Sequence, residues 1–150
     1  MKLEKYDIIL KKNSKNPISK LIQLITHDIY SHSEIYIGGY HIIDSMPNGV
    51  KVRNFDSSLC EFDTFRYKRK LTEKEQSDIE EFLQKAINSK YDFIELLLQL
   101  FHIKNGSKKR YICIGLLMEA FEYANIPIDK WQVGFKQVSD SKYFYKVNKD

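Results

Sequence analysis

Residues 31–44, SHSEIYIGGYHIID, predict a β-hairpin with a histidine near one end and a carboxylate at the other. Isoleucine and tyrosine dominate both arms, and Gly38 and Gly39 supply the positive φ that a tight turn requires. The hairpin therefore brings two polar side chains, His32 and Asp44, onto neighbouring strands of a predicted sheet.

The length of the hairpin loop decides which polar side chains meet. A two-residue loop, 38–39, would place His32 on the same face as His41 and opposite to Asp44. A three-residue loop, 38–40, with its usual bulge makes His32 and Asp44 diagonal neighbours on one face, about 7 Å apart. We favour the three-residue loop because it gathers isoleucines of both arms on the opposite face. In the other register His41 would replace Asp44 as the partner of His32.

Length and charge fit one domain without a nucleic-acid partner. The chain has 150 residues, and a chain of that size buries about two thirds of its surface on folding. We therefore predict a single domain, residues 1–150. The net charge is +4, and the basic residues are spread in small clusters instead of the dense patch that is typical of nucleic-acid binding.

Cysteine and histidine spacing predicts neither a metal site nor a disulfide framework. The two cysteines, Cys60 and Cys113, form no Cys-x-x-Cys motif, and His27 and His32 are five residues apart instead of four. No cofactor is predicted. Polar residues interrupt the apolar run at 93–103, which is also shorter than the roughly 20 residues of a membrane span. We expect a soluble cytoplasmic or phage- or virus-encoded protein with no signal peptide and no stable membrane insertion.

Hydrophobic periodicity predicts further strands and helices along the chain. A helix is expected from Pro17, with Leu21 and Ile22 on its buried stripe. Short half-exposed strands are expected around residues 50–53 and 65–68. Three more helices are expected: one after the capping box of residues 72–75, one over 91–102, and one from residue 112 to 124.

Cys113 falls in the first turn of the last predicted helix. The unpaired N–H groups and the dipole at a helix N-terminus favour a thiolate, and can lower a cysteine pKa from about 8.5 to between about 3.5 and 7.5. Cys113 is therefore a candidate nucleophile. The alternative is that it is a small residue of the core, because free cysteine is among the most buried residue types.

Several motifs follow one another in a fixed order along nearly the whole chain: Asp7-Ile8-Ile9-Leu10, Tyr30-Ser31-His32, Ile35-Tyr36-Ile37-Gly38, Asp44, Tyr91-Asp92 and Tyr111-Ile112-Cys113. This arrangement resembles the circularly permuted NlpC-type papain-like cysteine hydrolases. These include the YiiX-like proteins and, more distantly, lecithin:retinol acyltransferase-like enzymes. One departure is Tyr6, which stands where a glycine often precedes the first aspartate of that family.

The resemblance implies a fold and a set of roles. The fold is α+β and permuted papain-like, with an antiparallel sheet or small barrel packed against several helices. Cys113 matches the nucleophile, with its backbone N–H as an oxyanion donor, His32 the general base, and Asp44 the group that orients His32. His41 and Tyr111 are secondary candidates.

The implied activity is cysteine-dependent hydrolysis of amide bonds by a peptidase or amidase, with cell-wall-type peptides as candidate substrates. The alternatives are a lipid esterase or acyltransferase with the same three residues, and an inactive module that binds a peptide or an acylated partner. The expected substrate is a peptide or an acylated small molecule. Glu34 is expected to point to solvent, and Cys60 is expected to be structural.

Overall fold

The computed structural model describes residues 2–12, 17–58, 60–91, 110–130 and 134–147. The described elements are, in chain order, β1 (Ile8–Lys12), α1 (Pro17–Thr26), β2 (Tyr30–Gly38), β3 (His41–Met46), β4 (Gly49–Asn54), β5 (Phe62–Tyr67), α2 (Glu73–Ala86), β6 (Lys90–Tyr91), β7 (Arg110–Tyr111), α3 (Cys113–Tyr123), α4 (Lys136–Ser139) and β8 (Phe144–Val147).

Six strands form one antiparallel sheet in the order β4-β3-β2-β1-β5-β8. Strands β4 and β8 lie at its two edges, so the sheet built by the described residues is open and does not close into a barrel. Strands β6 and β7 pair in parallel as a separate ribbon. The prediction of an α+β fold with an antiparallel sheet packed against helices is confirmed, in its open-sheet form.

The hairpin of β2 and β3 has the favoured register over most of its length. Glu34 lies opposite Asp44, as the three-residue loop requires. A bulge next to the turn shifts the register, so that Gly38 faces His41. Tyr40 in the loop takes a positive φ of 63°, which is uncommon for a residue other than glycine. The register that makes His32 and Asp44 diagonal neighbours is therefore confirmed.

The main core lies between one face of the sheet and the helices α2 and α3. Helix α3 packs across β2 and β3, and its buried residues are Cys113, Ile114, Leu116, Leu117, Met118, Ala120 and Phe121. Burial of each large aliphatic or aromatic side chain contributes about 1.5–3 kcal/mol. This packing fixes the helix on the sheet and holds its first residue against β2.

The predicted starts of α1 and α2 agree with the structure, but one predicted buried position does not. Helix α2 begins with the predicted capping box, in which Thr72 and Glu75 each accept a hydrogen bond from the other's backbone N–H. Helix α1 begins at Pro17 and buries Ile22, whereas Leu21 is 47% exposed. The prediction of a buried Leu21 is wrong because α1 turns only a narrow stripe to the core.

Two further predictions can be compared only with the residues that the structure describes. Residue 91 ends the short strand β6, and the rest of the helix predicted for residues 91–102 lies outside the described part of the chain. In the described ranges no helix is long and apolar enough to cross a membrane.

Tyr6 occupies a backbone conformation that is uncommon for a residue with a side chain. Its φ is 74°, in the left-handed region that favours glycine. The side chain is 6% exposed, and its hydroxyl donates to Glu80 Oε1 at 2.6 Å. Burial and this hydrogen bond compensate for the backbone conformation.

Candidate active site

The candidate site lies where strands β2 and β3 stop pairing. The last matched pair at this end is Glu34 with Asp44, although both strands continue beyond it. Tyr36 exchanges its backbone hydrogen bonds with the residues just before β1. The alternation of an antiparallel strand therefore turns the N–H of Ser33 towards β3. Because the described β2–β3 pairing has ended there, this N–H is available to a side chain that enters the gap.

Cys113 reaches this gap from the first turn of α3. It is the first residue of the helix and is 4% exposed. The residue before it, Ile112, provides no side-chain cap. The first N–H groups of a helix have no acceptor within the helix, and with the helix dipole they favour an anion. The position therefore suits a thiolate.

The surroundings of the sulfur lower the pKa of the Cys113 thiol. Burial by itself would raise that pKa, but hydrogen bonding to His32, the charge of His32, and then the hydroxyl and N–H of Ser33 lower it. Ser33 Oγ is buried and makes no conventional hydrogen bond among the described residues. Its hydroxyl can therefore turn towards the sulfur, where it would stabilise a thiolate.

His32 lies between Cys113 and Asp44. Its Nε2 is 3.0 Å from Asp44 Oδ2, which leaves Nδ1 as the ring nitrogen for the thiol. Burial by itself would lower the pKa of His32, but the hydrogen bonds to Asp44 and Cys113 raise it to about 10. These contacts favour the form of the pair in which Cys113 is a thiolate and His32 an imidazolium.

Asp44 is held in place by a second partner. The residue is 2% exposed, and its Oδ1 accepts a hydrogen bond from Arg53 Nε at 2.7 Å. Arg53 in turn donates from Nη2 to Asn48 Oδ1 at 2.8 Å. Burial would raise the pKa of Asp44, but His32 and then Arg53 lower it. The carboxylate is thus ionised, with one oxygen fixed on the imidazole.

Glu34 does not point to solvent, and that prediction is wrong. It is 2% exposed, and its Oε1 forms an ion pair with Lys11 Nζ and lies 3.8 Å from His32 Nε2. Its Oε2 is buried without a hydrogen-bond partner among the described residues. The prediction assumed that side chains on this face of β2 are exposed, whereas the side chain of Glu34 on this face is buried close to His32.

One group of described residues has the composition and spacing of a metal site. His32, Glu34 and Asp44 each offer a ligand atom, and these atoms lie within 4.8 Å of one another. An imidazole and two carboxylates suit divalent transition ions. The sequence reasoning found two of these residues but assigned no metal to them.

The secondary candidates lie away from this centre or beyond what is described. His41 is exposed at the turn end of β3, opposite Gly38 and Asn54, so the register that would make it the partner of His32 is not the observed one. Tyr111 is in β7, and its side chain is not among those the structure describes. Cys60 is half-buried, and burial raises the pKa of its thiol.

Arg53, Ser33 and Lys11 were missed by the sequence reasoning. The signal for Arg53 was present, because the turn at residues 47–48 sets the β3–β4 register and puts Ile42 opposite Arg53. That register makes Arg53 a diagonal neighbour of Asp44 on the same face. No comparable sequence signal existed for Ser33, whose role depends on the end of a strand pairing.

We expect Arg53→Met to slow alkylation of Cys113 at neutral pH by roughly threefold to tenfold. The slowing reflects a rise of up to about one unit in the pKa of the Cys113 thiol, which lowers its thiolate fraction by up to about tenfold. Without its guanidinium partner, Asp44 holds the imidazolium less firmly. Arg53→Lys should retain more of the rate. The measurement is the iodoacetamide rate by peptide mass mapping, with Arg69→Met as a matched surface control. An unchanged rate in Arg53→Met would remove Arg53 from the site.

Comparisons with known proteins give a fold. No family model matches the sequence, and no curated protein matches it. Among solved structures, YiiX, a metalloprotein from Escherichia coli O157:H7, superposes with a TM-score of 0.75 at 19% sequence identity, over 98% of this chain and 97% of that one. An antiparallel open sheet with α3 packed across β2 and β3 is thus the YiiX-like fold, as the resemblance in the sequence implied.

Proposed function

We propose that this chain is a cysteine-dependent hydrolase that cleaves amide bonds through a thioacyl intermediate. The observation that carries the proposal is the order of three groups in space: Cys113 at a helix N-terminus, His32 beside its sulfur, and Asp44 on the far nitrogen of that imidazole. This is the arrangement of a thiol nucleophile, its proton acceptor and an orienting carboxylate.

Acylation begins from the thiolate of Cys113. The sulfur attacks the carbonyl carbon of the scissile amide, a C–S bond forms, and the carbonyl π pair moves onto oxygen. The N–H of Cys113 donates a hydrogen bond to that oxyanion. When the carbonyl reforms, the C–N bond breaks and His32 gives its Nδ1 proton to the leaving amine. The products are a thioester on Cys113 and a neutral imidazole.

Deacylation restores the resting pair. His32 takes a proton from water at Nδ1 as the oxygen of that water adds to the thioester carbon. Collapse of the second tetrahedral species breaks the C–S bond, and the carboxylic acid leaves. Cys113 is again a thiolate and His32 an imidazolium. Throughout the cycle Asp44 keeps Nε2 protonated, which leaves Nδ1 as the nitrogen that exchanges the proton.

The thiol route uses the form of the site in which no ion is bound to His32. YiiX is a metalloprotein, and among the described residues of this chain the group that fits a metal is His32, Glu34 and Asp44. A metal ion there would supply Lewis acidity. Two of these residues are the general base and its orienting carboxylate, so the hydrolysis proposed here needs them free.

A lipid ester is the second candidate substrate. The observation in its favour is an exposed apolar group just before the catalytic strand, where Leu24 is 69% and Ile29 is 62% exposed. Ile29 precedes His32 by three residues. In that case the same thiolate would accept an acyl chain and pass it to water or to another acceptor.

Covalent capture distinguishes the candidates. The full chain is incubated separately with muropeptides and with phospholipid vesicles, quenched in acid, and analysed by intact mass and peptide mapping. An acyl adduct on Cys113 from the peptide substrate, absent in Cys113→Ala, supports the amidase. An adduct from phospholipid instead favours the lipid enzyme. No adduct from either, with a Cys113 that labels no faster than Cys60, would indicate a binding module and overturn the proposal.

A further inference from the structure

We propose that a divalent transition-metal ion binds between His32 Nε2 and the carboxylates of Glu34 and Asp44. The proposal stands on these three side chains and does not depend on the proposed function.

The three groups are presented by rigid strands on one face of the sheet. His32 and Glu34 alternate along β2, and Asp44 lies opposite Glu34 on β3, so all three side chains lie on the same side. His32 Nε2 is 3.0 Å from Asp44 Oδ2 and 3.8 Å from Glu34 Oε1. Ligand atoms about 2.0–2.2 Å from a tetrahedral ion are about 3.3–3.6 Å apart. Small side-chain movements would therefore complete the site.

A buried oxygen without a partner points to a missing ligand. The side chain of Glu34 is 3% exposed, and its Oε2 has no hydrogen bond among the described residues. Buried carboxylate oxygens are normally hydrogen-bonded or bound to metals, because desolvation of an unpaired oxygen is costly. A cation held between Glu34 and Asp44 would satisfy this oxygen.

Lys11 is a built-in competitor for that cation. Its ammonium pairs with Glu34, and its side chain is 17% exposed. Arg53 pairs with the outer oxygen of Asp44 and is 32% exposed. Both cations reduce the attraction of the site for a metal, but both have long side chains that reach solvent. Lys11 and a metal ion would therefore compete for the carboxylate of Glu34.

Metal binding at Nε2 would replace one proton of His32 and keep the other. A neutral imidazole bound to an ion through Nε2 carries its one remaining proton on Nδ1. The ion would take the place of the Nε2 proton that Asp44 holds, and so separate the orienting carboxylate from the base.

The test is a Zn²⁺ titration of the chelator-treated full chain by calorimetry. We expect one site per chain, a loss of affinity of tenfold or more in Glu34→Gln, and tighter binding in Lys11→Met. The exposed-residue control Glu61→Gln should bind as the wild type does. Lys11→Met keeps the proposal falsifiable if Glu34→Gln fails to fold, because unchanged or weaker binding in Lys11→Met would overturn it.

Co²⁺ absorption identifies the ligands directly. A site of one imidazole and two carboxylates gives visible ligand-field bands without a sulfur-to-cobalt charge-transfer band. A charge-transfer band that disappears in Cys113→Ser would place the ion on the thiol and overturn the proposed site. Equal affinity in wild type and folded Glu34→Gln would also overturn it.

Discussion

His32→Ala is expected to slow alkylation of Cys113 at neutral pH by tenfold or more. In the wild type, hydrogen bonding to His32 and the imidazolium charge lower the pKa of the Cys113 thiol against the effect of burial. Without His32, burial remains, and the pKa returns to about 8.5 or above, where only about 3% of the thiol is ionised at neutral pH. The loss is moderated because thiolates of higher pKa are more nucleophilic.

The measurement is the rate of iodoacetamide modification in chelator-treated protein, read by peptide mass mapping. Cys60 in the same chain is an internal reference, since burial raises the pKa of its thiol. His41→Ala is the matched control because His41 is exposed at the hairpin turn. Equal rates for Cys113 in His32→Ala and His41→Ala would contradict the thiolate–imidazolium pair.

Cys113→Ala is expected to abolish turnover of any substrate that acylates the wild type, with a loss of roughly 10⁴-fold or more. Removal of the nucleophile leaves no group that can form the thioester, and in other hydrolases only binding and oxyanion stabilisation then remain. The side chain is small and lies at the head of α3, so the alanine variant should fold. The measurement is the release of product amine under single-turnover conditions.

Cys60→Ala should keep turnover within about twofold of the wild type, because surface and loop substitutions away from a site usually have small effects. Cys113→Ser separates nucleophilicity from packing, since it keeps a similar shape with a much weaker nucleophile. Turnover that survives in Cys113→Ala would mean that the cysteine is a core residue, and the proposed mechanism would be wrong.

The hairpin and the nucleophile position were predictable because each depends on local sequence. Gly38 and Gly39 mark the turn, and the burial of isoleucine chooses between the two registers, which fixes the diagonal placement of His32 and Asp44. The helix that starts at Cys113 is equally local, since apolar spacing begins just after it. These features needed no knowledge of the rest of the chain.

The contacts between distant segments were not predictable. Whether Cys113 meets His32 depends on where α3 crosses the sheet and on the end of the β2–β3 pairing, and no local pattern encodes either. Glu34 shows the same limit: alternation gave its face, but its burial depends on what covers that face. The prediction for Leu21 was wrong because helical spacing identifies the apolar stripe of α1 but does not tell how much of that stripe the neighbouring elements bury.

The charge state of His32 tests the central claim most directly. The imidazole nitrogens are followed by ¹⁵N NMR in chelator-treated protein, with His32→Gln to assign the signal among the four histidines. Since the pKa of His32 is raised to about 10, both nitrogens should be protonated through neutral pH and lose a proton only as the pH approaches 10. In Cys113→Ser the midpoint should fall, because the thiolate that stabilises the imidazolium is gone. A wild-type midpoint near the ordinary value of about 6.5, unchanged in Cys113→Ser, would contradict the pair and the catalytic role built on it.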